Sequence, residues 1–122
     1  MKYRFYTKSD KAWAAMLEAI RGARKSILLE SFILTDDPKT HQLFETLKEK
    51  AKAGVKVKII IDRLAHFWFG SINRDAFTKA GAEVVVYNHW FYRNHRKTMI
   101  VDEEIGFAGG VNIRGAYAKW LD

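Results

Sequence analysis

His95 and Lys97 set an imidazole and an ammonium two positions apart near the end of the chain. The residues that follow, Thr98 to Val101, favour a β-strand, and a strand turns alternate side chains to the same face. If the strand begins at or before His95, the two groups stand one rung apart on one side. That pairing suits a phosphate ester. A neutral imidazole can attack phosphorus, and a fixed ammonium can hold the non-bridging oxygens. Asp102 lies five residues beyond Lys97 and, in an unbroken strand, faces the other side. Parity therefore gives it a structural or supporting role rather than contact with His95, and a β-bulge would reverse that conclusion. Gly109 and Gly110 follow, allowing backbone close to a phosphate in torsions that other residues resist. The competing reading is a core strand with an exposed basic end and a glycine turn.

The pattern His95-x-Lys97-x4-Asp102, then Gly109-Gly110-Val111-Asn112, resembles the phospholipase D superfamily signature. The runs Arg93-Asn94-His95-Arg96-Lys97 and Gly109 to Ile113 look most like the bacterial cardiolipin synthase branch, specifically its amino-terminal half. A bare H-x-K-x4-D recurs by chance; glycines and asparagine at the right offset make the match specific. The resemblance covers nearly the whole chain. It implies an α/β fold, a half-domain with a mostly parallel sheet, helices on both faces and a C-terminal hairpin carrying the H-x-K motif. It groups His95, Lys97 and Asp102 as catalytic, with Lys97, Gly109, Gly110 and Asn112 binding phosphate. Glu30, Asp62 and Asp122 are candidates for the cleft.

With 122 residues the chain is sized for one core, and it is expected to be a single half-domain truncated at its C-terminus. A formal charge of +7 favours an anionic partner: phospholipid headgroups, nucleic acid or an acidic protein. The sequence has no cysteine, which excludes disulfides, thiol chemistry and cysteine-rich zinc sites. No apolar run reaches the roughly 20 residues of a membrane-spanning helix. The expected location is cytoplasmic, peripheral to the inner membrane.

The elements that must position the motif follow in order. Tyr3–Thr7 suits a short strand. Trp13, Met16, Leu17 and Ile20 make one apolar helix face. Ser26–Leu34 is a β-rich run that includes Glu30, which either faces water or borders the cleft. Asp36-Asp37-Pro38 reads as a helix start, followed by the buried face Leu43, Phe44, Leu47 and Ala51, with Lys48, Lys50 and Lys52 on a solvated side. Gly54 stops this helix, and Val55–Ile61 is a strand ended by Asp62. The loop His66-Phe67-Trp68-Phe69 is either a lid on the core or an interfacial anchor. A helix capped by Ser71 and stopped by Gly81 leads to a strand over Ala82–Tyr87. Glu103-Glu104 suits a hairpin turn, Ile105–Ala108 a returning strand and Ile113–Trp120 a helix.

The resemblance implies that one histidine forms a phosphohistidine while a second protonates the leaving alcohol. It implies no cofactor and no metal, since lysines supply the positive charge. The chain has one such motif, so a second half, tandem or homodimeric, is required. Expected partners are a phospholipid such as phosphatidylglycerol and an anionic membrane surface. The leading expectation is a phosphatidyltransferase of the cardiolipin synthase type. The alternatives are a metal-independent phosphodiesterase acting on nucleic acid as a homodimer, and a non-catalytic anion-binding half-domain.

Overall fold

The computed structural model describes residues 3–31, 35–36, 38, 40–63, 72–87 and 98–109. Elements run α1 (Ser9–Arg21), β1 (Ser26–Ser31), α2 (His41–Lys52), β2 (Lys56–Asp62), α3 (Arg74–Ala80), β3 (Glu83–Tyr87), β4 (Thr98–Val101) and β5 (Ile105–Ala108). The five strands form one sheet in the order β3-β2-β1-β4-β5. β1, β2 and β3 run parallel, as strands separated by crossover helices must. β4 runs antiparallel to β1, and β5 antiparallel to β4. The expected C-terminal hairpin is present, but the sheet is more mixed than a mostly parallel one.

Alternation decides which face is buried. In β1, Ile27, Leu29 and Ser31 are buried while Ser26, Leu28 and Glu30 are half-exposed. The register carries the same face through Val57, Ile59 and Ile61 of β2 and Met99 and Val101 of β4. These residues join Ile20, Leu43, Phe44, Leu47, Phe77 and Ala80 of the three helices in one apolar core. Each fully buried side chain of that size contributes about 1.5–3 kcal/mol. Phe44 and Phe77 meet edge to face, with centroids 6.1 Å apart, and lock α2 to α3. The three described helices thus share one face of the sheet. The helix expected over Ile113–Trp120 lies outside the described residues.

Local chemistry sets the helix ends, in two places differently from the sequence reading. α2 begins at His41 rather than near Pro38. Thr40 precedes it, its hydroxyl donating to the Thr35 carbonyl at 2.6 Å. α3 is capped by Asn73, whose side chain accepts from the Ala76 amide at 3.1 Å. Ser71, the cap expected there, lies outside the described residues. Gly54 and Gly81 both adopt positive φ, 97° and 103°, where they end α2 and α3. Tyr3–Thr7 forms no strand. Lys52 is exposed as expected, but Lys48 and Lys50 are half-buried. Lys50 donates to the Ala23 carbonyl at 3.1 Å, and Lys48 lies 5.6 Å from the centre of the Phe77 ring.

Candidate active site

The strand directions gather the sequence-predicted residues at one edge. β1, β2 and β3 end there at Ser31, Asp62 and Tyr87. Because β4 is antiparallel to β1, with Glu30 opposite Thr98, β4 starts at that same edge. β5 reverses again, with Ala108 opposite Thr98, so Gly109 emerges there too. Ligands of open α/β sheets bind at this carboxyl edge. Thr98 is joined directly to Lys97 and Gly109 directly to Gly110. His95, Lys97, Gly110, Asn112 and Asp122 themselves lie outside the described residues, as does the His66–Phe69 loop.

Glu30, Ser31, Thr98 and Gly109 line a hollow of about 620 Å³. Met16, Leu29, Met99 and Phe107 give it an apolar side, and Tyr3 to Tyr6 form its outer wall. Glu30 stands on the half-exposed sheet face beside Thr98. Asp62 is nearly inaccessible, at 2% exposure, at the end of β2 beside Tyr87. A buried acid at a strand end requires polar company, and Asp62 has it. Sequence reasoning did not single out Ser31, Thr98 or the Tyr3–Tyr6 wall. Thr98 was recoverable from its place after Lys97; the wall had no periodic signal.

Asp102 occupies the opposite end of β4. Its Oδ1 accepts the amides of Lys25 at 2.7 Å, Ser26 at 3.0 Å and Arg24 at 3.1 Å, and its Oδ2 accepts the Arg24 amide at 2.9 Å. Its own amide donates to the Ser26 carbonyl at 2.7 Å. These amides, the one at Lys25 first, hold its carboxyl below the usual carboxylate range. The backbone makes this reach possible. Asp102 and Glu103 take φ of 53° and 58°, and the Glu104 amide closes a tight turn on the Val101 carbonyl at 3.0 Å. Asp102 therefore pins the α1–β1 turn to the hairpin. Its carboxylate is engaged a full strand length from the Thr98 end, so the described geometry gives it no place among the reacting groups.

Asp36, His41 and Glu45 form a second polar cluster at the start of α2. His41 Nδ1 meets Asp36 Oδ1 at 2.8 Å, and its Nε2 lies 3.7 Å from Glu45 Oε1. The Lys48 ammonium already binds Glu45 and, as the largest influence, lowers that carboxyl's pKa. The arrangement is a run of polar contacts along an exposed helix start.

The same fold occurs in solved structures of low sequence identity. NucT from Helicobacter pylori superimposes with a TM-score of 0.68 over 89% of this chain and 72% of that one, at 19% identity. Nuc from Salmonella typhimurium, a phospholipase D family member, gives 0.66 over 85% and 66%, at 24% identity. At the level of sequence, residues 16–119 match the family described as cardiolipin synthase, PLD-like domain, and the chain belongs to that family. Its relatives include cardiolipin synthase A of Pseudomonas fluorescens, 34% identical over 93% of this chain and 27% of the relative. The cardiolipin synthase of Halalkalibacterium halodurans is 32% identical, over 91% and 24%. The chain thus spans about a quarter of the length of these relatives. Among the described residues, no helix is long and apolar enough to cross a membrane.

Proposed function

We propose that this chain is one half of a phosphatidyltransferase of the cardiolipin synthase kind, acting by phosphodiester exchange. The observation that carries the proposal is the convergence of the Thr98 end of β4 and the Gly109 end of β5 on one edge, beside Glu30 and Asp62. In this reading His95 attacks the phosphorus of a phospholipid such as phosphatidylglycerol. A bond forms between a ring nitrogen and phosphorus as the bond to the leaving glycerol oxygen breaks. A histidine from a second half donates the proton that glycerol takes away. That histidine then removes a proton from an incoming hydroxyl, which displaces His95 and restores both groups. Lys97, the Asn112 amide and the backbone at Gly109 and Gly110 hold the phosphoryl oxygens as charge develops. Each such donor lowers the barrier by roughly 3–4 kcal/mol. The second half is a tandem domain or another copy of this chain, and the working location is the face of an anionic membrane.

The test is release of glycerol from phosphatidylglycerol by the assembled protein without added metal. His95→Ala is expected to lower the rate at least about 1000-fold, since no remaining group can form the covalent bond. Unchanged turnover in that variant would remove the nucleophile from the scheme. A second reading, hydrolysis of nucleic acid by a homodimer, draws on the charge of +7. Metal-free cleavage of single-stranded DNA, with no glycerol released, would favour it.

A further inference from the structure

Two large rings stand open on the described surface. Tyr3 is 78% exposed and Phe5 91% exposed, in a segment with no regular structure. Exposed rings set beside cations have the composition of an interfacial anchor. Their neighbours supply those cations. Arg4 lies between them, and Lys8 and Lys11 follow, all exposed. Arg4 and Tyr6 line hollows on both sides of the segment, one at the α1–β4 side and one leading to Glu30 and Thr98. Tyr3–Tyr6 is therefore the outer lip of the cleft that opens on the catalytic edge. Ile105, 48% exposed, lines both hollows as well.

We propose that Tyr3, Arg4 and Phe5 seat the mouth of this cleft on an anionic phospholipid bilayer, the rings entering the headgroup layer and the cations meeting lipid phosphates. The chemistry follows from the composition of the strip. Aromatic side chains settle at the membrane–water boundary, and adjacent cations add attraction to anionic headgroups. Apolar and cationic contacts act together there, as in other peripheral anchors. The proposal rests on the phospholipid reading above and adds where the membrane sits: across the lip, with the hollow opening toward it. A lipid phosphate would then reach the edge by moving along the cleft rather than by leaving the bilayer.

The experiment reads membrane partition, which does not depend on turnover. The chain is sedimented with vesicles of phosphatidylcholine alone or with three parts in ten phosphatidylglycerol. Binding is expected to the anionic vesicles and to weaken in added salt. Tyr3→Ala/Phe5→Ala is expected to reduce partition about tenfold or more, and Arg4→Gln about fivefold, with thermal melting unchanged. Since the sequence has no cysteine, Phe5→Cys accepts a single environment-sensitive dye. Its emission should shift to the blue on anionic vesicles, while a dye at Lys79→Cys on α3 should not respond. Equal binding by the double ring variant would overturn the proposal. So would a shift at position 79 alone, or a lipid-free shift at position 5 that grows with protein concentration and marks self-association. If the chemical reading fails instead, glycerol release is absent while partition still follows the rings.

Discussion

A carboxylate that collects three backbone amides is hard to replace. Asp102→Asn keeps one accepting oxygen but turns an NH₂ group toward donors at Arg24, Lys25 or Ser26. Melting temperature should fall by about 5 °C or more. Because folding depresses this carboxyl's pKa, its contribution is fully present above the unfolded value. It disappears as pH falls through the lower folded value. Acid titrations followed by circular dichroism should therefore show a stability loss below about pH 4 that is reduced in the Asn variant. Glu103 gives the opposite case. It is exposed and left-handed at φ 58°, a conformation that costs a non-glycine residue about 1–2 kcal/mol. Glu103→Gly should raise stability by about 0.5–1 kcal/mol, net of the added chain entropy. Chemical denaturation would show no gain if the turn bears no such strain.

Among the elements, most strands and helices could be read from the sequence because one face of each is apolar. Thr98–Val101 and the Met16–Ile20 helix face are where periodicity placed them. The reading failed where interactions were polar and nonlocal. Pro38 pointed to a helix start, yet α2 waits for Thr40, held by a carbonyl five residues back. Lys50 looked like a solvated lysine, yet it binds the α1–β1 turn at Ala23, which only the fold brings near. The Asp102 clamp joins residues more than seventy positions apart; strand parity could indicate its side, but not its partners. The cap on α3 provides an element-scale check. Asn73→Ala should cost about 1 kcal/mol, seen as a lower denaturation midpoint with an unchanged slope.

For the whole molecule, these 122 residues hold one such motif and the proposed exchange needs two histidines, so the source of the second is part of the chemistry. If two copies complete the proposed site, the rate per chain should rise with protein concentration until association saturates. Adding His95→Ala chains to wild type should then lower activity as the square of the wild-type fraction. Specific activity independent of dilution and proportional to the wild-type fraction would show that copies do not share a site. The edge where β1, β2, β4 and β5 bring their ends together was legible before the fold was known only as a spacing of residues. Its placement among Glu30, Asp62 and Thr98 required the strand order.

The four residues of β4 act as a strut of set length. At one end the carboxylate of Asp102 is tied down; at the other the chain continues into Lys97. Inserting a single residue between Lys97 and Asp102 would push the basic end onward by about 3.4 Å. It would also turn an inward-facing rung such as Met99 out toward water. In the proposed chemistry, the four-residue gap in the motif sets the distance from that anchored foot to the phosphate.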